Sequence, residues 1–471
     1  MLTSMKKSSG YILITVAALT LAKSATGVAQ DYFRDFSIDR SSTDFGPVVP
    51  SDYFYDETSP SGLRPLRPGQ DLTAVEAAEE DNKYNFAIGP VHFGIAAGFG
   101  VEFNDNVNLS DHDRESDFVL RPSLDLAATW RLSDLNTLKF SVGLSYAKYL
   151  DHSELDTDGV LISPTSELAL TFFFGNIKVT VRDRLSYQED TYDVAPLSNT
   201  SKYQRWENQA GLEVDWGVNQ SFDIIFGYDH YNLWTTSDEF RLQDRAIDTV
   251  YLKPGWQLNP AIKVGLSASY SHINFDDTAR SDGNAFLVGP FIQWQLSEVT
   301  NLYLEAGYQS ITYDGSSDYF NAQIDALGLS EEDARAVGNI LQDNEDSDNY
   351  YIKFEINNRP NENFEHRLLF SKTAEIGFSS NFYDLYHVEY NASWKCLPHT
   401  EIGPTLFYEY YTTSGVDGED AHRFGAAIGI RHHLSNSLTL GLDYRYIQKD
   451  SNLPDADYYQ NLVFLSLYYK F

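Results

Sequence analysis

From residue 87 onward, apolar and polar side chains alternate one by one. In "VHFGIAAGFGVEF" (91–103), Val91, Phe93, Ile95, Ala97, Phe99, Val101 and Phe103 share one face, opposite His92, Gly94, Ala96, Gly98, Gly100 and Glu102. In "IKVTVRDRLSYQ" (177–188), Ile177, Val179, Val181, Leu185 and Tyr187 oppose Lys178, Thr180, Arg182, Arg184 and Ser186. A period of two is the period of a β-strand. Eighteen such runs follow one another, from 88–104 to 459–471. Two are less regular: "FEHRLLFSKT" (364–373) has a muddled phase, and 246–257 contains Pro254, which removes a ladder donor. Sixteen strands is therefore the alternative count.

The connections alternate too. Short ones, such as 175–176, 218–221 and 258–260, take turns with long acidic ones, such as 105–116, 151–164 and 189–202. A sandwich with crossing connections has no reason to keep this order. A closed antiparallel transmembrane barrel does, with short periplasmic turns, long outer loops and an even strand number. One further regularity fits it. "WRLSDLNTLKF" (130–140), "WGVNQSFDIIF" (216–226), "WQLNPAIKVGL" (256–266), "WQLSEVTNLYL" (294–304) and "WKCLPHTEIGP" (394–404) each place a Trp on the apolar face just before a short turn. Trp130, Trp216, Trp256, Trp294 and Trp394 are thus expected in one ring at the periplasmic membrane interface, where an indole ring sits among headgroups. Trp206 and Trp234 belong at the opposite ends of their strands.

Composition narrows the picture. The chain has 471 residues, with 32 Tyr and 29 Phe against 2 Met, a balance that favours strands. A formal charge of −34 excludes nucleic acid as a partner. The single cysteine, Cys396, allows no intrachain disulfide. Residues 1–29 read as a signal peptide: Lys6 and Lys7, the apolar "YILITVAALTLA" (11–22), then "GVAQ" with cleavage expected after Ala29. Residues 30–86 contain "SSTDFGPVVPSDYFYDETSPSGLRPLRPGQ" and have no period; they read as an irregular periplasmic extension. The barrel is expected over 87–471. These features place the chain in the bacterial outer membrane, exported through the periplasm.

The first hairpin carries "GFGVEFNDNVNLSDHDRESDFVLRPSLDLAATW" (98–130). It resembles the second-type β-barrel porin family of bacterial outer-membrane proteins, whose members often accompany exopolysaccharide or capsule gene clusters. The final strand, "QNLVFLSLYYKF", resembles the terminal signature of outer-membrane barrels, so the resemblance implies that Phe471 is the signal read by the barrel-assembly machinery. The expected function is passage of small solutes or saccharides across the outer membrane. The alternative is a non-conducting barrel that works with partner proteins in exopolysaccharide export. Expected partners are outer-membrane lipid, lipopolysaccharide and the assembly machinery.

The inward face is the functional surface of a barrel. Its expected lining includes Arg121, Arg182, Arg184, Arg205, Glu207, Arg423 and Arg445, with Lys178, Lys263, Arg431, Glu102, Asp125, Glu213, Asp223, Asp229, Glu305, Glu355, Glu409 and Asp443. Arg182, Arg184 and Arg205 form a basic strip that would guide anionic or hydroxyl-rich solutes, unless Glu167 and Glu207 neutralise it. The loop at 314–348 has helical stretches; Ala334, Val337, Ile340 and Leu341 make an apolar stripe that either folds into the mouth or covers the rim. No nucleophile elbow, metal-ligand spacing or cofactor motif is present, and His230 and Asn232 have no adjacent Ser, so no enzyme, metal or cofactor is expected.

Overall fold

The computed structural model describes residues 86–471, apart from 134, 192–193, 278, 315–325, 327, 329, 331–344, 379 and 416–417. The expected signal peptide (1–29), the expected periplasmic extension up to residue 85 and most of the 314–348 loop lie outside the described residues.

Eighteen staves form one antiparallel sheet that closes on itself. In chain order they are β1 (Val91–Asn104), β2 (Asp117–Arg131), β3 (Thr137–Ser145, resuming at Lys148–Tyr149) and β4 (Leu161–Ile162, resuming at Glu167–Phe174). Next come β5 (Ile177–Gln188), β6 (Arg205–Asn219), β7 (Phe222–Thr235), β8 (Arg245–Asn259) and β9 (Ile262–Phe275). β10 (Gly283–Ser297), β11 (Thr300–Tyr313), β12 (Ser347–Asn361), β13 (Phe364–Ile376) and β14 (Phe382–Leu397) follow. β15 (Thr400–Thr413), β16 (Asp420–His433), β17 (Leu438–Ser451) and β18 (Tyr458–Lys470) complete the wall. Each stave pairs with its sequence neighbour, and β1 closes on β18 from Ala96↔Lys470 to Asn104↔Leu462. The short strand Phe86–Ile88 folds back on the start of β1. Both irregular runs are strands of the wall: β13 pairs β14 over its whole length and β12 as far as Lys372, and Pro254 sits opposite Ile224.

Closure leaves two unlike faces. On β18, Val463, Leu465, Leu467 and Tyr469 are exposed, whereas Phe464 and Tyr468 between them are buried on the lumen side. An apolar outer band around a closed ladder is the surface of a membrane-spanning barrel: lipid offers no hydrogen bonds, so the ladder must satisfy every backbone group itself. Among the described residues, no helix is long and apolar enough to cross a membrane; strands do the crossing.

Trp130, Trp216, Trp256, Trp294 and Trp394 all stand exposed on the outer face. Four of them lie three residues before the ends of their strands, at Asn219, Asn259, Ser297 and Leu397. Trp130 lies one residue before Arg131. A second girdle rings the loop end, and it is built largely of tyrosine. Tyr228, Tyr270, Tyr308 and Tyr444 each donate to a side chain on the next strand: Asp248 (2.5 Å), Asn284 (2.6 Å), Asp348 (2.6 Å) and Asn461 (2.8 Å). Each acceptor lies one pleat nearer the loops than the tyrosine, because Tyr228 faces Val250 and Tyr270 faces Phe286. The ring stays in the acyl region while the hydroxyl reaches the interface. Trp206 and Trp234 face each other in this upper girdle.

With brominated lipids, bromine near the headgroups is expected to quench the fluorescence of the five turn-side tryptophans about equally, and more than bromine at the bilayer centre. Unequal depths would displace them from one ring.

Candidate functional site

The inner wall is lined with charge, and the charges pair. Arg121 grips Glu102 through two nitrogens, at 2.8 and 3.2 Å. Arg184 reaches Glu167 at 2.8 Å, Arg205 reaches Glu207 at 2.6 Å and Arg423 reaches Glu409 at 2.8 Å. Arg445 is buried on the inner face of β17, two residues from Asp443, which Arg431 holds at 2.7 Å. The structure therefore gives each arginine of the expected basic strip a carboxylate, Arg182 taking Asp229 at 3.2 Å.

Several of these contacts skip a stave. Arg182 on β5 and Asp229 on β7 both face Gly211 on the β6 between them. A Cβ at Gly211 would stand 2.0 Å from Asp229 Oδ1. The same layout joins Glu213 to Tyr251 across Gly227 (3.0 Å) and Asp223 to Lys263 across Gly255 (2.7 Å). Glycine lets a long side chain lie flat on the wall to reach the strand beyond its neighbour.

Period-two reading missed several members of the lining: Lys253, Lys353, Arg367, His387, Glu389 and Lys449. Lys253 is buried against Tyr303, donating to its hydroxyl at 2.8 Å, with its ammonium 4.5 Å from the Phe291 ring centroid. His387 and Arg423 share Glu409, while Arg367 holds Glu389 at 3.0 Å. Lys253 and Lys449 follow the same alternation as their neighbours, so strict phase counting would have found them.

The lumen is crossed at its loop end. A barrel of eighteen tilted strands is about 36 Å across at the backbone. The connection between β5 and β6, residues 189–204, is acidic at its base but carries Val194, Ala195, Pro196 and Leu197 at its tip. Ala195 is fully buried among Tyr383, Leu385, Tyr411 and Ala421 of β14, β15 and β16. Tyr411 Oη donates to the Ala195 carbonyl at 3.2 Å, and Lys449 Nζ to that of Pro196 at 3.1 Å. β5 and β15 are ten staves apart one way and eight the other, so the tip touches the opposite wall. Seven residues from Gln188 to Ala195 reach at most about 24 Å. The long side chains of Tyr411 and Lys449 bridge the rest.

Two more loops turn inward beside it. In "FNDNVNLS" (103–110), Asn106 is fully buried and donates to the carbonyls of Ser110 and Tyr459, both at 2.8 Å. This turn holds Leu109 at φ 48°, a region that is costly for a side-chain-bearing residue. It drives Leu109 among Phe407, Ile447 and Tyr458 inside the barrel. The Leu109 carbonyl then accepts from Asn199 N of the crossing loop at 2.9 Å. From the far side, the β13–β14 connection brings Phe378 against Tyr203 and Phe240, with ring centroids 5.3 and 5.7 Å away. Gln243, in the short 3₁₀ turn Asp238–Gln243, and Arg280 both donate to the Phe378 carbonyl. Burial pushes the Tyr203 phenol up to about 12, so it stays neutral and acts as an apolar anchor.

Arg205 thus proves to be the pin of the crossing loop. It donates to the carbonyls of Asp190 and Tyr203, at 2.9 and 3.2 Å, closing both ends of the loop. The expected inserted loop, 314–348, lies mostly outside the described residues; the described crossing is made by a loop that acidity alone marked as external.

Phe471 is exposed at the outer edge, its ring edge-on to Tyr469 at 5.1 Å. His230 lies on the lipid side with Nδ1 2.7 Å from Asp248, and no serine joins them in a hydrogen bond. Among the described residues no group of three His, Cys, Asp or Glu is placed to hold a metal ion.

No family model matches the chain, and no curated protein matches it. Its fold is similar to that of solved barrels at low identity. A BenF-like porin from Pseudomonas fluorescens Pf-5 is 8% identical, covering 80% of this chain and 99% of its own, with a TM-score of 0.44. Acinetobacter baumannii OccAB4 is 12% identical over 80% of this chain and 98% of its own, with a TM-score of 0.43. Pseudomonas aeruginosa OccK2, solved in complex with glucuronate, is 9% identical over 81% and 99%, with a TM-score of 0.44.

Replacing Arg205 with Gln removes both loop-closing bonds and leaves Glu207 without its cation, a local loss of about 3–5 kcal/mol. Limited proteolysis should then cut within 194–204 while the barrel keeps its heat-modifiable mobility on gels. A loop as resistant as in the unaltered protein would contradict this role.

Proposed function

We propose that this chain is a bacterial outer-membrane channel that passes small, hydroxyl-rich solutes past a constriction formed by residues 189–204. The observation that carries the reading is the crossing loop, tied to the opposite wall through Ala195 and Pro196. A barrel of this width without such a loop would be a wide aqueous pore. With it, passage is confined to the spaces beside the loop.

The lining argues for the solute class. The arginines of the lumen lie against carboxylates, and further carboxylates such as Glu213 and Glu355 are held by neutral side chains, which leaves little positive field for capturing a free anion. What the wall presents instead, half-buried on the inner face, is Tyr149 with the hydroxyl and amide groups of Thr180, Gln293, Asn357, Asn391 and Ser393. Rings and hydroxyl or amide groups together suit a sugar, which stacks an apolar face and exchanges hydrogen bonds at its edge. The outer loops carry most of the excess negative charge, which repels anionic polymers at the mouth.

A second reading is a non-conducting barrel that serves partner proteins in polysaccharide export. In it the inturned loops, which interlock through Asn199, Leu109 and Asp455, would close the lumen.

Planar-bilayer recording separates the two. The unaltered barrel is expected to show small, stable conductance steps, and replacing 194–199 by a Gly-Ser segment should raise them several-fold. Liposome swelling with a disaccharide should quicken in parallel. No conductance from either protein would leave only the second reading.

A further inference from the structure

We propose that the wall has a side port between β12 and β13, at the level of the outer leaflet, through which a lipophilic solute passes between the membrane and the lumen. The proposal rests on the channel reading for the far end of the route.

The ladder between these strands stops early. β12 pairs with β11 up to Ile311↔Ser347, but with β13 only up to Ile352↔Lys372. Among the described residues, Ser347–Tyr351 have no ladder partner on β13, and Thr373–Ile376 pair only with β14. An open edge in lipid leaves backbone groups without partners, which lipid cannot supply. Side chains take their place here. Gln309 of β11 reaches past β12 and grips Ala374 from both sides: its amide nitrogen donates to the carbonyl at 2.8 Å, and its oxygen accepts from the N–H at 2.9 Å. Asn349 Oδ1 accepts from Tyr350 N at 2.9 Å.

The end of β13 has therefore left the wall and lies inside it. Lower on the strand, the face holding Leu368 is exposed to lipid. Higher up, Ala374 and Ile376 of the same face are buried in an apolar cluster with Ile273, Ile311 and Tyr313. Those three point inward from β9 and β11. An apolar patch on the inner wall is unusual, because channel interiors are polar. Here it sits directly behind the break in the ladder. Among the described residues, side chains span the break: besides Gln309 on Ala374, Asn349 of β12 donates to Asp384 of β14 at 2.9 Å, and the other Asp384 oxygen holds Lys372 of β13 at 2.7 Å. Outside it, the hydroxyls of Tyr350 and Tyr386 meet at 3.4 Å, and the Lys372 ammonium lies 5.1 Å from the Tyr350 ring centroid. Among the described residues, a few side-chain contacts separate the acyl region from an apolar inner surface. Parting them costs far less than breaking a strand ladder, and the chemistry on both sides suits a molecule with an alkyl or aromatic part.

The test uses the full-length barrel in proteoliposomes, with diazirine-bearing dodecanoic acid in the lipid and cross-linked peptides mapped after illumination. Labels are expected on the inward Ile273, Ile311 and Tyr313 as well as on the lipid-facing Tyr308. Joining Y350C to Y386C with a cleavable bifunctional methanethiosulfonate, in a C396S background, should lower the inner labels at least fivefold. The outer labels should stay, and reduction should restore the inner ones. Q309A, which releases Ala374, should raise inner labelling several-fold and needs no cross-link. Inner labels absent from the unaltered protein, or unchanged by the bridge and by Q309A, would overturn the port. Ion conductance with no inner labelling removes the port and leaves the channel; inner labelling without conductance does the reverse.

Discussion

Inside a bilayer a strand can leave no backbone group without a partner, and this one constraint organises the molecule. It forces the sheet to close, β1 upon β18. Closure makes one face meet lipid and the other enclose a lumen, and the alternation along the chain follows from that. The exposed tryptophans beside the turns and the tyrosines toward the loops border the same apolar band. Where the ladder fails, between β12 and β13, the structure supplies amide side chains in its place. The exception has the form that the constraint demands.

The enclosed surface meets a second requirement. A charge facing a partly dry lumen is costly unless it has a partner, and a strand's immediate neighbours do not always carry one. Glycines at 211, 227 and 255 flatten the wall, so an arginine, glutamate or lysine can reach across one strand to the next. The paired wall then becomes a scaffold for the loops. Arg205 and Lys449 spend their hydrogen bonds on loop carbonyls as well as on carboxylates. The residues that neutralise the interior are also those that narrow it.

Much of this was legible in the chain. Strand number, strand order, turn lengths and the outward exposure of the five tryptophans beside the turns depend on local alternation, which the sequence displays directly. The inward face of each strand was legible for the same reason. What could not be read were contacts set by curvature and register over many strands. Arg182 meets Asp229 only because Gly211 lies between them, and Ala195 meets Tyr411 only because β15 stands across the barrel from β5. The apolar "VAPL" at 194–197 inside an acidic loop was the available sign of an inserted tip. The muddled phase of 364–373 likewise marked the strand whose upper end changes its surroundings: Lys372 and Ala374 sit on a lipid-side face yet are buried. Local disorder in the pattern recorded a real departure from the wall.

The central claim is that residues 189–204 span the lumen. A cross-lumen distance tests it most directly: spin labels at S198C on the loop and D420C on the opposite rim, in a C396S background, read by double electron–electron resonance in lipid nanodiscs. The burial of Ala195 against Ala421 predicts a single population under about 25 Å, well inside the barrel width of about 36 Å. A main population near or beyond that width would place the loop outside the mouth and contradict the account.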